Sequence, residues 1–234
     1  MVLGLVAVMS ANLIETVYIS LIGTEQLAAL GFTFPIVMLL QSLTMGLSVG
    51  ASSVVARRVG AARMDQAKII ISHSLLITVL LITVLIVLVQ PNLHYIFRLL
   101  GADGHVQSLA VGYMEIWFLG LPFFAVAMVG SSLMRALGDV ATPGYLMTLG
   151  AGLQIVLGPI FIFGFGDFSG LGLAGAAMAF VLARIIGFFF YGYCLYRDRI
   201  LIFSIDGLLD STKEIFHVGL PAIAGNLIGP ATMT

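Results

Sequence analysis

The first 22 residues, MVLGLVAVMSANLIETVYISLI (1–22), contain a single charged side chain, Glu15. About 20 apolar residues in a helix are enough to cross the roughly 30 Å hydrocarbon core of a bilayer. A charged side chain near the middle of such a span costs about 2.5 to 3.5 kcal/mol on insertion scales, and it usually faces a cavity or a partner. The segment therefore predicts a membrane-spanning helix with a functional acid in its interior.

The rest of the chain is similarly apolar. Hydrophobic residues make up 60% of the 234 residues and charged residues 9%, against about 25% charged in ordinary soluble domains. We expect an all-α membrane protein with a six-transmembrane-helix lobe (1–205), followed by an amphipathic linker and the beginning of a seventh helix (206–234) in a chain that is part of a longer one. The predicted spans cover residues 1–22, 27–56, 69–90, 106–134, 143–165 and 171–196, and the seventh starts near Val218.

The basic residues predict the orientation of these spans. If the loops alternate between the two sides, most Lys and Arg residues share one side and Arg98 stands alone on the other. Because basic loops remain in the cytoplasm, we expect a multi-pass protein of the plasma (inner) membrane with a cytoplasmic amino terminus. A secretory signal peptide is the alternative for residues 1–22, but the segment lacks a basic start and an A-x-A-like cleavage site. The charges are too few for a nucleic-acid-binding surface.

The sequence gives no sign of a soluble-enzyme or nucleotide-binding site. The chain contains no G-x-x-x-x-G-K-[ST] and no H-E-x-x-H, and its G-x-S-x-G match, Gly46 to Gly50, lies inside the predicted span 27–56 rather than at the strand-to-helix turn that the hydrolase motif needs. We expect a protein that is not an enzyme and has no bound cofactor or metal. Any transport is then driven by an H⁺ or Na⁺ gradient, or runs downhill.

A few polar residues in the predicted spans are candidates for function. A carboxyl in the setting of Glu15 is expected to bind a proton near neutral pH, which proton coupling requires. Asn12 lies three residues earlier on the same helix face and Thr16 directly follows, so both are candidates for a hydrogen-bond network with it. The alternative is a protonated carboxyl that is hydrogen-bonded only for stability. Glu115 and Arg184 are candidates for an intramembrane ion pair or for a substrate site.

Several ordered motifs carry a family resemblance. The stretch ETVYISLIGTEQLAALGF (15–32) resembles the first-helix pattern D-T-x-x-x-G-x-L-G-x-x-x-L-A-A-x-G of the multidrug and toxin extrusion (MATE) family. The chain most resembles the DinF-like branch, over essentially its whole length. Further segments are similar to the family in the same order: GLSVGASSVVARRVG (46–60), LGAD (100–103), MRALGD (134–139) and LGLAGAA (171–177).

The resemblance implies a fold and a function. It implies two six-helix lobes around a central cleft. This chain would be the amino-terminal lobe, and its partner would be the carboxy-terminal lobe of the full-length chain. It also implies export of cationic or amphipathic small molecules, coupled to inward H⁺ or Na⁺. We expect protonation of Glu15 from outside to change helix packing and to lower the affinity for cargo.

The chain departs from the DinF-like pattern at the positions that the resemblance assigns to its ion site. Glu15 stands where that branch has Asp, so the carboxyl is kept. The fifth-helix pattern N-I-x-L-D-P reads QIVLGP (154–159) here, with Gln154 for the asparagine and Gly158 for the second acid. Phe180 occupies the place of an expected threonine. The resemblance implies that Gln154 is a hydrogen-bonding neighbour of Glu15, which we expect to be a lone protonatable group.

Three hypotheses follow. The primary one is an ion-coupled (H⁺ or Na⁺) secondary antiporter that exports cationic or amphipathic drugs and toxins. The first alternative is a flippase of lipid-linked cargo from the same superfamily, which a strongly cationic cleft would favour. The second alternative is a non-transporting membrane remnant, suggested by the missing second acid.

Overall fold

The computed structural model describes residues 2–165, 168–197, 200, 202 and 207–231, and almost all of them are helical. A short 3₁₀ turn (Gln90–Asn92) joins α3 to α4, and a two-stranded antiparallel hairpin, β1 (Gly164–Phe165) with β2 (Phe168–Ser169), joins α6 to α7. The α-helices are α1 (Val2–Ile22), α2 (Thr24–Gly60), α3 (Met64–Val89), α4 (Leu93–Leu99), α5 (Gly104–Ala136), α6 (Ala141–Phe163), α7 (Leu173–Arg197) and α8 (Leu208–Ala231).

Five of the six predicted membrane crossings correspond to helices of the described chain. Five segments of the described chain are long and apolar enough to span a bilayer: α2, α3 continued through α4, α5, α6 and α7. Within α1, the stretch Val6–Ile22 is a shorter apolar helix. The prediction of an all-α membrane protein is therefore confirmed.

The helices are longer than the predicted spans at their charged ends. We expected residues 57–68 to form a break, but α2 continues to Gly60 and α3 begins at Met64. Between α1 and α2 the break is the single residue Gly23. Arg and Lys are good helix formers, so a helix continues through them after it leaves the hydrocarbon region. Apolar length therefore predicts the membrane crossing but not the helix ends.

The segment before Val218 also differs from the expectation. We predict an amphipathic linker ahead of the seventh helix, whereas α8 runs through this junction as one helix. It packs against α2 and α3, in the same bundle as the other helices. Residues 203–206 lie outside the described residues, and the proposed boundary at 205/206 stays a prediction.

The central helix of the bundle is α5. It packs against α2 and α7, and it contributes to three apolar clusters, of which two are large. The larger cluster contains Trp117 and Phe118, and Trp117 stacks on Phe180 of α7 with 5.3 Å between ring centroids. The second cluster, nearer the basic loops, joins Val129 and Leu133 to residues of α2, α3 and α8. By contrast, α1 packs mainly on α6, so its position depends on that helix.

The start of α6 is fixed by Asp139. Its Oδ1 accepts the backbone N–H groups of Ala141 and Thr142, each over 3.0 Å. Hydrogen bonds from the Thr142 side chain and backbone hold the pKa of this carboxyl below its ordinary value. An acid that accepts the first free N–H groups of a helix stabilises its start. This cap positions α6, which carries Gln154 four turns further on.

Glycines bring α2 and α8 into close contact. A Cβ at Gly50 would overlap the carbonyl oxygen of Ile215, and one at Gly46 would overlap the side chain of Ile223. A Cβ at Gly219 would lie 3.0 Å from the carbonyl oxygen of Gly46. Small residues four apart let helix backbones approach closely in a membrane. These glycines therefore set the distance between the two helices.

Gly50→Ala is expected to lower the free energy of unfolding by about 1 to 3 kcal/mol, the usual cost of overpacking. The added methyl group would meet backbone atoms, which cannot rotate away. Gly31→Ala on the same helix is the control, because no atom lies within 4 Å of the place that its added methyl group would occupy. Unfolding of both variants in detergent measures the difference, and equal stabilities would contradict the close contact.

Candidate functional site

Three polar side chains from three helices meet inside the bundle. Gln154 of α6 donates a hydrogen bond from Nε2 to Oε2 of Glu15 on α1 over 2.5 Å. The Oε1 atom of Gln154 accepts a hydrogen bond from Nη2 of Arg184 on α7 over 3.4 Å. An amide side chain can donate and accept at once. Gln154 thus links an acid to a base, and we call Glu15, Gln154 and Arg184 the α1–α6–α7 network.

Two aromatic rings hold the guanidinium of Arg184. Its Cζ atom lies 4.8 Å from the ring centroid of Phe180 and 5.3 Å from that of Phe124. A guanidinium over an aromatic ring is attracted by the ring quadrupole, by about 2 kcal/mol when desolvated. Among the described residues no carboxylate oxygen lies within 4 Å of this cation. Two aromatic rings and an amide, rather than a direct ion pair with a carboxylate, therefore hold Arg184 in position.

A small cavity lies beside the Glu15 carboxyl. Its volume is about 10 Å³, which is about the size of one water molecule. Gln154, Gly158 and Ala176 are among the residues that line it. Oε1 of Glu15 and Nε of Arg184 are buried, and neither has a hydrogen-bond partner among the described residues. Oε1 is therefore available to accept a proton or a donor group.

Asn12 and Thr16 do not bond to Glu15 in the described part of the chain. The side chain of Asn12 is exposed, and its backbone carbonyl accepts the Thr16 hydroxyl over 2.9 Å. This bond within one helix is common for threonine. Their assignment to a substrate or hydrogen-bond network stays a prediction.

The predicted ion pair between Glu115 and Arg184 does not form among the described residues. On α5 the buried residues Met114, Trp117 and Phe118 define the packed face, and Glu115 lies on the exposed side. Arg184 instead reaches Gln154. Both residues lie in membrane spans as expected, but depth along a helix does not determine which face a side chain occupies.

Sequence reasoning missed the two rings that hold Arg184. Phe180 precedes Arg184 by one helical turn, and residues four apart on a helix are neighbours, so this spacing was a usable signal. Phe124 lies on another helix and has no comparable signal. A second polar cluster was also missed: Ser48 bonds Ser132 over 2.5 Å, and Arg135 donates to Ser131 and Ser132 over 2.6 Å each.

Comparison with known proteins identifies the family. The MatE family model matches residues 1–160, which include Glu15 and Gln154. The chain belongs to the MatE family. MatE proteins are transporters and not enzymes, and the resemblance to this family is confirmed.

The similar MatE proteins are about twice as long as this chain. It is 34% identical over 232 residues to an FAD transporter of Shewanella oneidensis, with 97% of this chain and 51% of the relative covered. It is 26% identical over 210 residues to the multidrug export protein MepA of Staphylococcus aureus, with 88% and 46% covered. A solved multidrug resistance MATE family transporter in an outward-facing conformation matches with a TM-score of 0.92 at 33% identity, with 100% and 52% covered.

The coverage agrees with the prediction of an amino-terminal half. The chain spans about half the length of the curated relatives it matches. Its apolar helices and its family make it a multi-pass membrane protein. The inner membrane and the cytoplasmic amino terminus stay predictions, as does the absence of a cofactor.

Gln154→Leu is expected to lower the free energy of unfolding by about 1 to 3 kcal/mol, because it leaves buried polar groups of Glu15 and Arg184 without a partner. The control is Gln41→Leu, the same substitution at an exposed position of α2, with an expected effect within about 0.5 kcal/mol. Unfolding in detergent measures both variants. A Gln154→Leu protein as stable as the control would contradict the bridging role of the amide.

Proposed function

We propose that this chain is the amino-terminal lobe of a proton-coupled secondary antiporter that exports small amphipathic molecules. The α1–α6–α7 network is the observation that carries the proposal. It joins an ionisable carboxyl on α1 to a fixed cation on α7 through Gln154. Membership of the MatE family supports transport as the activity.

The coupling step follows from the charge of Glu15. The ionised carboxylate accepts the Gln154 hydrogen bond and is attracted by the nearby guanidinium of Arg184. Protonation removes this attraction and weakens the bond to Gln154. Because α1 packs mainly on α6, protonation then changes how α1 sits on the lobe. We propose that this movement lowers the affinity for cargo at the outer side.

A proton suits this site better than a sodium ion. Hard metal cations bind several oxygen ligands at once, whereas the side-chain oxygens around the cavity beside Glu15 come from three residues, Glu15, Tyr18 and Gln154. The positive charge of Arg184 also opposes a second cation nearby. No group of three or more His, Cys, Asp or Glu residues suited to a metal ion occurs in the described ranges.

Glu15→Gln tests the coupling role. In vesicles that contain the whole transporter, efflux driven by an imposed pH gradient is expected to fall at least about tenfold. A tenfold change corresponds to a coupling free energy in the usual range. Glu115→Gln is the matched control: it removes an acid from a membrane span, but outside the network. Its efflux is expected to stay within about twofold of the unsubstituted protein. Normal pH-driven efflux by Glu15→Gln would refute the proposal.

An anionic flavin nucleotide is a second candidate cargo. The positive charge of Arg184, which two aromatic rings hold in place, attracts a negatively charged molecule and repels an organic cation. The similarity to an FAD transporter supports this candidate, and the similarity to MepA supports drug export. The flippase alternative needs more positive charge than the single basic residue of the network supplies.

Arg184→Gln separates the two kinds of cargo. If the cargo is an anionic flavin, FAD efflux from vesicles is expected to fall by about tenfold or more, because a charged hydrogen bond contributes about 1.5 to 3 kcal/mol. Efflux of the cation ethidium by the Arg184→Gln variant is measured for comparison. Arg98→Gln, which removes one positive charge outside the network, is the control variant. Efflux of ethidium but not FAD by the unsubstituted protein would contradict the flavin candidate. Transport of neither would favour the non-transporting remnant.

A further inference from the structure

A second cavity lies between the last turns of α2 and the first turns of α8. Its volume is about 440 Å³, which is in the range of small-molecule binding sites. None of its residues belongs to the α1–α6–α7 network, so the proposed coupling step does not use it. The lining residues are Val54, Arg57, Arg58, Lys213, Glu214 and His217.

The cavity carries an excess of positive charge. Its permanent cations are Arg57, Arg58 and Lys213, and Glu214 is its carboxylate. Nη2 of Arg58 already binds both carboxylate oxygens of Glu214, over 2.9 and 3.0 Å. In the described part of the chain, no carboxylate oxygen lies within 4 Å of Arg57 or Lys213. Nε of Arg58 is buried and also has no acceptor there. The cavity therefore offers free donors to an anion.

Apolar surface continues from the cavity along α8. Leu220 and Ala224 follow Lys213 at i+7 and i+11, which places all three on one face of the helix. Both are exposed, and 57% of Leu220 is accessible. A ligand that fits both parts of this surface has an anionic head and an apolar tail. A free inorganic anion would satisfy only the first part.

We propose that the cavity binds the phosphate of an anionic phospholipid, whose acyl chains lie on the apolar face of α8. Basic pockets between transmembrane helices recognise such headgroups through charge and hydrogen bonds. Arg57 of α2 and Lys213 of α8 donate to the phosphate, while Glu214 holds Arg58 in place. The bound lipid therefore connects the two helices beyond their glycine contact.

The test uses the complete gene product, purified from membranes. Native mass spectrometry measures retained phosphatidylglycerol, with phosphatidylcholine, whose zwitterionic headgroup has no net charge, as the comparison. The double variant Arg57→Gln, Lys213→Gln is expected to bind phosphatidylglycerol about 25-fold more weakly, because each basic residue near an anionic lipid contributes about fivefold. The variant Arg57→Lys, Lys213→Arg keeps both positive charges and is expected to stay within about threefold. That result would show that a loss in the double variant is due to charge and not to misfolding.

A matched control removes two charges outside the cavity. Arg63→Gln, Lys68→Gln changes residues near the same end of α2 and α3, and is expected to leave phosphatidylglycerol binding within about twofold. Equal loss in the test and control variants would overturn the proposal, since it would indicate diffuse attraction to the membrane. Displacement of the lipid by millimolar inorganic phosphate, or equal retention of phosphatidylcholine, would overturn it as well. None of these outcomes depends on whether Glu15 couples transport to protons.

Discussion

The amide of Gln154 is the constraint on which the interior of this lobe depends. It bonds one atom of a buried acid and one atom of a buried base, both of which are costly to leave unpaired in an apolar bundle. Its two contacts also connect α1 to α6 and α7. The same residue thus contributes to stability and transmits any change in the charge of Glu15.

Hydrophobic spacing and family motifs were enough to predict the spans and the neighbours of the acid. Apolar runs of about 20 residues correspond to helices because the bilayer leaves no other way to satisfy the backbone. The resemblance implied that Gln154 lies next to Glu15, and the two side chains are hydrogen-bonded. Amino-acid composition alone gives no reason to expect contact between two side chains that are 139 residues apart in the sequence.

The features that sequence could not predict concern helix faces and helix ends. Glu115 and Arg184 lie in different spans, and hydropathy indicates their depth but not their direction. The Trp117 and Phe118 face of α5 turns Glu115 outward. Similarly, α8 continues through Val218 because charged residues do not end a helix. Phe124 reaches Arg184 only through packing between α5 and α7.

The long separation between Glu15 and Gln154 also bears on how the protein is made. During synthesis α1 precedes α6, its main packing partner, by more than a hundred residues. The Glu15 side chain therefore enters the membrane before the amide that bonds it exists. Until α6 is inserted, α1 is a marginal span that carries an unpaired acid. Whatever holds this helix during that interval does so without the Gln154 contact.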